Sequence, residues 1–598
     1  MRPVPPMPLP QSSSRFRKLI SILLLALGAA YWVVMFGPTS PGRLALDGMI
    51  LAAVIAFVPS IGRWFESLVG WINAAIGPRR ASVAITITIL IAVYLFAFAY
   101  GSRSRLFLKL NDEHAYMIQA RMLSHGRLWL APYPPEIAPF FDALSMIVDR
   151  VYAPMYFPGT ALAMVPFVWL RLPFWVMPVL SASVAAGLLY WVFAEMFDPV
   201  HGLLAVLMLA SLHIYRDTAI LLLADSPFLA AELVLLWAWL QFRRRPLPRY
   251  ALAIGAAAGY AAITRPLDAV CFALPIGVAI VCQMRRQPRQ LARHGLVIVL
   301  AASPCLALLI AQNRGVTGHW FELAESYYNR QNFPVSPLGF PRVDSNRIPL
   351  DLSAPKQQWL HDWVIPSFQR HTPANALRSW YRGRLWQTLD NALPNPILIL
   401  LLPVALLSLG EARRRVLFAA LVIFLVGYAV YLFFLEHYVI SILPAMICMV
   451  LMGWESLHFT WPGRRLNIFL LISLLTISLA AIWPIAPFSP LPIPFAPDQR
   501  AANECLARLP KTPAVVLFRF DPMVGSFHDD PVYNDSVSWP NDAPIIRARD
   551  LGPEKDRDIF KYYAQRQPDR VFYVYDPDAR AAGRYPITRL GFARQLAK

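Results

Sequence analysis

The sequence predicts an α-helical protein that crosses a membrane many times and carries a small external α/β domain at its C-terminal end. Of the 598 residues, 57% are hydrophobic and only 15% are charged, whereas soluble proteins average about 25% charged residues. Apolar runs of roughly 18 or more residues, the length that a membrane-spanning helix needs, recur between Leu19 and Trp483. These observations exclude a disordered chain, a collagen-like repeat and a small disulfide scaffold.

We predict about thirteen membrane-spanning helices, each about 20 residues long. A further apolar stretch, residues 156–171, is interrupted by Pro158 and Pro166, and we interpret it as a re-entrant or interfacial segment. The predicted spans are residues 19–36, 44–61, 82–101, 173–196, 199–215, 219–242, 250–264, 266–283, 294–312, 394–409, 416–435, 437–456 and 466–485.

The net charge of +19 is explained by membrane topology, so we expect no nucleic-acid partner. The densest basic clusters lie in short connections beside the apolar runs, which is the pattern of cytoplasmic loops. Thirteen crossings place all of these clusters on the cytoplasmic side and the long polar segments 104–155, 313–393 and 486–598 outside. The clusters are Arg15–Lys18, Arg79–Arg80, Arg243–Arg249, Arg285–Arg293, Arg413–Arg415 and Arg464–Arg465.

The apolar runs and the polar segments divide the chain into three predicted regions. Residues 1–81 hold an N-terminal tail and two extra transmembrane helices. Residues 82–485 form the main transmembrane domain, with external loops at 104–155 and 313–393. Residues 486–598 form the external C-terminal domain.

Two β-like runs and one helical stretch predict that the C-terminal domain has an α/β fold. The β-like runs are Ala514–Phe520 and Arg570–Tyr575, and the helical stretch lies near Pro553–Arg566. The five cysteines form no CxxC pair, so the sequence suggests neither a zinc site nor a disulfide framework.

The segment Asn111–Arg121 follows an outward-going predicted helix by about ten residues and carries the most informative polar pattern. Asp112, Tyr116 and Gln119 share one polar helix face. An exposed carboxylate at this place could act as a general base on a hydroxyl substrate. In the alternative interpretation, Asn111 caps the helix and the acids of its first turn merely answer the helix dipole. Periodicity alone favours the capping interpretation.

Further ionisable residues lie at the same external ends of the predicted helices. Such groups are costly at membrane depth and tend to face a bundle interior or a watery cavity. Each one alone also has a structural interpretation, as a cap, a snorkelling cation or an interfacial side chain. Together they indicate a cavity with carboxylates and cations, in which an arginine could bind a phosphate. They are Arg216, Asp217, Asp225, Arg265, Asp268, Glu436, His437 and Tyr438.

With these motifs the chain resembles the GT-C membrane glycosyltransferases, and in particular the protein O-mannosyltransferases and the lipid A aminoarabinose transferases. The resemblance covers roughly residues 82–460. The motifs that resemble the first external loop of these enzymes are Asn111–Tyr116 and Gly126–Leu128. Their Pro-Gly segment corresponds to Tyr156–Gly159, their second acidic motif to Ala224–Pro227 and their Lys/Arg-Pro turn to Thr264–Pro266. The last motif is Asn313 with Thr317–Gly318.

The resemblance implies transfer of a sugar from a polyprenyl-phosphate donor to an acceptor hydroxyl, with inversion at the anomeric carbon. It implies two catalytic residues: Asp112 as the general base and Glu113 as the residue that orients the base or the acceptor. Arg265 would hold the donor phosphate, and Asp225 would bind sugar hydroxyls or Arg265. The other implied substrate-binding residues are His114, Tyr116, Arg216, His437 and Tyr438.

The resemblance also implies the surroundings of the reaction. The expected place is the bacterial inner (plasma) membrane, with the active site and the C-terminal domain on the external, periplasmic face. The partners are the lipid-linked donor, membrane lipids and an acceptor that is a lipid, a glycan or a protein. No cofactor or metal is required. Some superfamily members need a divalent cation. Asp112 and Asp225 could supply oxygen ligands to such a cation.

Two other classes of function stay open at this point. A transporter or flippase of lipid-linked sugars also has many spans, but such proteins often show inverted repeats and sites near the midplane. The sequence shows no paired halves, and its ionisable residues cluster at the outer face. A non-catalytic scaffold for envelope assembly is the third class. Sugar transfer from a labelled polyprenyl phosphate by the purified protein would separate the three.

Overall fold

A computed structural model describes residues 11–35, 41–101, 106–333, 336–340, 352–482, 497–510, 513–520, 526–527, 530–581 and 583–598. The described residues form a mainly helical protein with a small sheet near the C-terminal end. The predicted fold class is therefore confirmed. The first ten residues of the N-terminal tail and the predicted domain boundary at 485–486 lie outside the described residues.

Each of the thirteen predicted span positions has a helix or helical segment at it or beside it, and further helices lie between and after these positions. The helices are α1 Gln11–Met35, α2 Pro41–Phe57, α3 Pro59–Ile76, α4 Arg80–Gly101, α5 Asn111–Ser124, α6 Pro158–Trp169, α7 Val176–Met196, α8 Pro199–Ser211, α9 His213–Thr218, α10 Asp225–Arg244, α11 Pro248–Ala262, α12 Pro266–Met284, α13 Pro288–Thr317, α14 Ala324–Asn332, α15 Ala354–Trp359, α16 Ile365–Arg370, α17 Pro373–Ser379, α18 Leu385–Ala392, α19 Leu401–Ala405, α20 Ala412–Val430, α21 Leu443–Thr460, α22 Arg464–Ile482, α23 Pro497–Leu506, α24 Pro553–Arg566, α25 Pro577–Ala581 and α26 Ala593–Leu596.

Six helical segments of the described chain are long and apolar enough to cross a membrane by themselves. The number becomes seven if the bent pair Pro373–Ala392 and Pro396–Ser408 is counted as one span. Some of the other helices at predicted span positions are short: α8 has 13 residues, about 20 Å of helix, against a hydrocarbon core about 30 Å thick. The count of thirteen spans therefore stays a prediction.

Several predicted spans differ from the helices of the structure in their bounds, and two of these differences fall between residues 199 and 242. The helix predicted over 219–242 begins only at Asp225, so its predicted start was wrong. The span predicted over 199–215 is divided at Leu212 into α8 and α9. In the irregular segment before Asp225, the backbone N–H of Leu222 donates to the Glu113 carboxylate. A side chain thus satisfies a buried backbone group that a helix would have satisfied internally.

Helix α6 occupies the apolar stretch that we interpreted as re-entrant or interfacial. It has 12 residues and begins at Pro158, a favourable first helical position for proline. At about 18 Å it is too short to cross the hydrocarbon core alone. It packs against α5, which brings the external segment down to the outer ends of the bundle.

The transmembrane helices pack closely where small residues face each other. A Cβ atom on Gly187 of α7 would lie 2.1 Å from the Thr88 hydroxyl of α4, so only glycine lets these helices approach this far. Close contact through small residues is the usual basis of helix association in membranes. Buried around this contact are Tyr190, Phe193 and Trp239.

The C-terminal domain contains a four-stranded sheet with the strand order β4-β3-β5-β6. Strand β3 is parallel to both β4 and β5, and β6 is antiparallel to β5. The two predicted runs correspond to β3 and β5, and the predicted helix is α24. The strands are β1 Met146–Ile147 and β2 Ala153–Pro154, a hairpin in the external loop, and β3 Ala514–Phe518, β4 Ile545–Arg549, β5 Val571–Tyr575 and β6 Ile587–Phe592.

The loop segment 106–155 and the C-terminal domain share one hydrophobic core. Ile118 and Phe141 from the loop are buried in the same cluster as Leu517 of the sheet, and the rings of Tyr133 and Trp539 stack with centroids 4.7 Å apart. The sheet domain therefore lies directly against α5, the helix that carries the most informative motif of the sequence.

Candidate active site

Two adjoining cavities lie at the ends of the transmembrane helices, against the polar segments of the chain. The larger, which we call the first chamber, has a volume of about 940 Å³ and is lined by residues of α5, α10, α12 and α14. The smaller, the second chamber, has a volume of about 490 Å³. Both chambers are lined by Asp112, Tyr156, Leu223, Glu325, Asn329, Tyr431, His437 and Tyr438, which we call the shared wall.

Asp112 is presented to both chambers from the first turn of α5. Its carboxylate accepts a hydrogen bond from the Tyr156 hydroxyl at 2.5 Å. Burial raises the pKa of Asp112 above the usual value of an aspartate, although the hydrogen bond from Tyr156 and the interaction with His437 oppose the shift. A carboxylate with a raised pKa is a better proton acceptor near neutral pH than an ordinary one.

The cap of α5 is made by Glu113, an acid of its first turn, and not by Asn111, which the capping interpretation named as the cap. The Glu113 carboxylate accepts the backbone N–H groups of Lys109 and Leu110 at 3.0 and 3.1 Å. Within the described residues, the buried Oδ1 atom of Asn111 has no hydrogen-bond partner. The capping interpretation therefore applies to Glu113 and leaves the carboxylate of Asp112 unexplained.

Glu113 is completely buried and does not line either chamber. Besides capping α5, it accepts the backbone N–H of Leu222 at 3.0 Å. One carboxylate thus joins the start of α5 to the irregular segment that leads into Asp225. Its position suits a residue that holds two walls of the first chamber together.

Arg265 precedes α12 and forms ion pairs with two buried carboxylates, those of Asp225 and Asp268. Its guanidinium also lies 3.4 Å from the Tyr428 hydroxyl and 4.7 Å from the centre of the Tyr438 ring. A guanidinium has five N–H donors, so these contacts leave donors for a ligand. The arginine lines the first chamber with its orientation fixed by its neighbours.

Six of the nine predicted site residues line the first chamber, and three do not. Tyr116 stacks on Tyr156, with ring centroids 4.7 Å apart. His114 points away from the chambers, where its Nδ1 atom lies 2.6 Å from Asp535 of the C-terminal domain. The Arg216 guanidinium lies near the Tyr94 hydroxyl. The six lining residues are Asp112, Tyr116, Asp225, Arg265, His437 and Tyr438, and the three others are Glu113, His114 and Arg216.

Sequence reasoning did not identify Glu325 as a site residue, although it belongs to the shared wall. It lies in the first turn of α14, and its carboxylate is 3.4 Å from the Tyr431 hydroxyl that donates to it. Burial raises the pKa of Glu325. The available signal was an acid within the aromatic-rich polar segment 313–393, which predicted no particular depth or direction.

The chambers carry more carboxylates than cations. The first chamber is lined by Asp112, Asp225, Asp268 and Glu325, against Arg265 and the mostly exposed Arg330, which pairs with Glu322. In the part of the chain that the structure describes, no three His, Cys, Asp or Glu side chains converge as a metal site. Arg265 is thus the buried cation of this chamber, and a phosphate would find its charge partner there.

A family model described as dolichyl-phosphate-mannose-protein mannosyltransferase matches residues 158–310. The matched segment is about a quarter of the chain and contains Asp225 and Arg265, whereas Asp112 lies before it. The resemblance to membrane glycosyltransferases is confirmed over this segment. No curated protein matches the chain.

Solved structures with a similar chain path include two membrane transferases. ArnT from Cupriavidus metallidurans bound to undecaprenyl phosphate is 12% identical, with 83% of this chain and 94% of that chain covered and a TM-score of 0.42. The Archaeoglobus fulgidus oligosaccharyltransferase in the apo form is 12% identical, with 67% of this chain and 56% of that chain covered and a TM-score of 0.39.

Proposed function

We propose that the protein transfers a sugar from a polyprenyl-phosphate donor to an acceptor hydroxyl at the external face of a bacterial inner membrane. One observation carries this proposal: the first chamber is lined both by Asp112, a candidate general base, and by Arg265, a buried cation suited to phosphate. A base and a phosphate-binding group in one cavity are what a direct sugar transfer requires.

The first chamber is open to a lipid-linked donor. Val270 lines the chamber, lies on α12 and is 49% exposed, and the sequence predicts that residues 266–283 span the membrane. The chamber therefore reaches the surface of α12 that would face lipid. A polyprenyl chain could remain in the bilayer while its phosphate lies beside Arg265. The family description also names a polyprenyl-phosphate sugar.

Two contacts of the Asp225 carboxylate support a role for this residue in binding the sugar. One oxygen of its carboxylate accepts from Arg265, while the other, buried oxygen has no partner among the described residues. A buried carboxylate oxygen without a hydrogen bond is unfavourable, so a sugar hydroxyl that donates to it would be stabilised. The same oxygen is the one that a divalent cation would use if the enzyme needs one.

The reaction follows from these positions. Asp112 removes the proton of the acceptor hydroxyl, and the oxygen forms a bond to the anomeric carbon of the donor. The bond from that carbon to the phosphate oxygen breaks, and its electron pair leaves with the polyprenyl phosphate, whose charge Arg265 stabilises. Attack from the face opposite the leaving group inverts the anomeric carbon. Asp112 then returns its proton to the released phosphate or to water.

The test is sugar transfer by the purified full chain in lipid nanodiscs. Tritium-labelled mannosyl, glucosyl and aminoarabinosyl undecaprenyl phosphates are supplied with an envelope extract as the source of acceptor, and two products are measured: released undecaprenyl phosphate and labelled acceptor. We expect release of undecaprenyl phosphate from at least one donor, which Asp112→Asn abolishes. Transbilayer movement of an intact donor in vesicles without release would overturn the proposal in favour of a flippase.

A further inference from the structure

We propose that the second chamber binds the acceptor, and that the group it receives is an uncharged sugar unit of a glycan. This inference rests on the proposed function, because it assigns the other half of the same reaction. It is carried by three features of the second chamber: its aromatic surface, its charges and its position against Asp112.

Flat aromatic surfaces form much of the second chamber. The rings of Trp363 and Phe433 stack with centroids 4.8 Å apart and an angle of 11° between their planes. Trp359 extends this surface, 5.7 Å from Trp363. A sugar ring exposes one face of C–H groups, which packs on an aromatic ring in the way other apolar surfaces do. The aromatic residues that line the chamber are Tyr156, Tyr328, Trp359, Trp363, Tyr431, Phe433, Phe434, Tyr438 and Phe527.

The charges of the second chamber disfavour an anionic acceptor. Its described lining residues include no lysine and no arginine, while Asp112, Glu325 and Glu436 contribute carboxylates. A phosphate or carboxylate group would meet like charges at short distance without a compensating cation, which is costly. Sugar hydroxyls are neutral and donate hydrogen bonds, so they match carboxylate oxygens and the side-chain amides of Asn111 and Asn329.

The shared wall brings an acceptor in the second chamber next to Asp112, the candidate base. Asp112 lines both chambers, so a hydroxyl in the second chamber can reach the base while the donor's anomeric carbon lies in the first. The volume of about 490 Å³ lies within the range of roughly 300–1,000 Å³ that small-molecule sites occupy. The division of the site into two chambers thus separates the charged donor from the neutral acceptor.

The experiment measures saccharide binding to the full chain in nanodiscs without any donor. Saturation-transfer NMR is recorded with neutral trisaccharides of mannose, glucose, galactose and N-acetylglucosamine, and with a Ser/Thr-containing peptide as the alternative acceptor. We expect saturation transfer to at least one trisaccharide, and a roughly fivefold to tenfold loss of affinity in Trp363→Ala, as for the loss of one aromatic contact. Trp363→Phe keeps a ring and should retain most of the binding.

Trp320→Ala is the matched control, because Trp320 belongs to the same external segment, is 55% exposed and lines neither chamber. It should bind the trisaccharide as the unchanged chain does, and thermal melting of all variants shows that they are folded. The inference is overturned if none of the trisaccharides binds, if binding is equal in Trp363→Ala, or if the peptide binds and the trisaccharides do not.

A separate measurement distinguishes failure of this inference from failure of the proposed function. Undecaprenyl phosphate binding to the same nanodiscs is measured by native mass spectrometry, and it depends on the first chamber and Arg265 alone. If undecaprenyl phosphate binds but the saccharide result is negative, only the assignment of the acceptor is wrong. If undecaprenyl phosphate does not bind, the proposed donor is wrong, whatever the second chamber binds.

Discussion

Asp112 and His114 lie two residues apart in the first turn of α5 and make their contacts on opposite sides of it. The Asp112 carboxylate is 2.5 Å from the Tyr156 hydroxyl in the shared wall, whereas His114 Nδ1 is 2.6 Å from the Asp535 carboxylate of the C-terminal domain. Two residues rotate a helix by about 200°. A single helical turn therefore connects the candidate base to the C-terminal domain.

Replacement of Asp112 by asparagine tests the role of the base. The amide keeps the shape and can still accept the Tyr156 hydroxyl, but it cannot remove the acceptor proton. We expect transfer to fall by about 10²–10⁴-fold, the usual contribution of a general base, while undecaprenyl phosphate binding is retained. The rate of labelled-sugar transfer at saturating donor is the measurement.

Glu325→Gln is the matched control for Asp112→Asn, because Glu325 is the other acid of the shared wall contributed by an external segment. It should reduce transfer much less than Asp112→Asn does. If Asp112→Asn keeps more than about a tenth of the normal rate and Glu325→Gln abolishes transfer, the base is Glu325.

Tyr156→Phe should move the acidic limb of the pH–rate profile to higher pH. The base works only when it is deprotonated, so the rate falls as the pH drops through the pKa of Asp112. Burial already places that pKa above the usual value, and the Tyr156 hydroxyl opposes the shift by stabilising the carboxylate. Removing the hydroxyl removes this stabilisation and raises the pKa further.

The control for this shift is Tyr116→Phe. Tyr116 stacks on Tyr156 in the first chamber, but the hydrogen bond to Asp112 comes from Tyr156. The acidic limb of Tyr116→Phe should stay where it is in the unchanged chain. An unmoved limb in Tyr156→Phe would show that a group other than Asp112 governs the rate at low pH.

The helices could be predicted because long apolar runs indicate burial in lipid or protein regardless of the fold around them. The same property explains the wrong helix start at residue 219. Residues 219–224 are apolar and buried but irregular, and Glu113 satisfies one of their backbone N–H groups. Hydropathy reports burial, and it does not report which partner a backbone N–H finds.

The sequence could identify Asp112, Asp225 and Arg265 because ionisable groups at helix ends of one membrane face tend to meet. It could not identify Glu325 as a residue of the chambers or predict how deep this side chain lies. Helix α14 belongs to a polar segment without hydrophobic periodicity, so the sequence pattern does not tie this helix to the transmembrane bundle. Rotation about the axis of α5 was also undetermined. One residue changes the direction of a side chain by about 100°, and this separates Asp112 from Glu113.

Arg265→Lys should weaken donor binding although it preserves the positive charge. Lysine cannot bridge Asp225 and Asp268 with a planar fork while also binding a phosphate. Loss of a hydrogen bond between charged groups costs roughly 1.5–3 kcal/mol, so the KM for the donor should rise by about tenfold or more. The matched control is Arg330→Lys, because Arg330 also lines the first chamber but is mostly exposed and screened by solvent.

Topology can be tested by labelling single cysteines in intact cells, in a chain whose native cysteines are replaced by alanine. Pro246→Cys lies in the connection Arg243–Arg249, which the basic residues place in the cytoplasm, so a membrane-impermeant maleimide should not reach it. Glu554→Cys lies in the exposed first turn of α24 and should be labelled. Labelling of position 246 from outside would contradict the thirteen-span topology.

His114→Ala should lower kcat more than it changes KM, because it acts on catalysis through the position of Asp112. His114 stacks on Tyr533, with ring centroids 4.6 Å apart, and contacts Asp535. Without the imidazole, the first turn of α5 loses its polar contacts with Asp535 and Gln499 of the C-terminal domain, and displacements of about 1 Å at a reacting group can cost as much as 10²-fold. We expect a fall in kcat of at least tenfold, measured with saturating donor and acceptor.

Two further variants make the interpretation of His114→Ala specific. His114→Asn places an N–H donor near the position of Nδ1 and should restore most of the activity, whereas Asp535→Ala, which removes the acceptor, should reproduce the defect. The double change to His114→Ala and Asp535→Ala should cost no more than His114→Ala alone, since His114→Ala already removes the contact with Asp535. Arg594→Ala removes an exposed ion pair with Asp569 in the same domain and should have little effect. If all of these variants lose similar amounts of activity and the losses add, the result shows only a general destabilisation of the C-terminal domain. His114 would then have no positioning role.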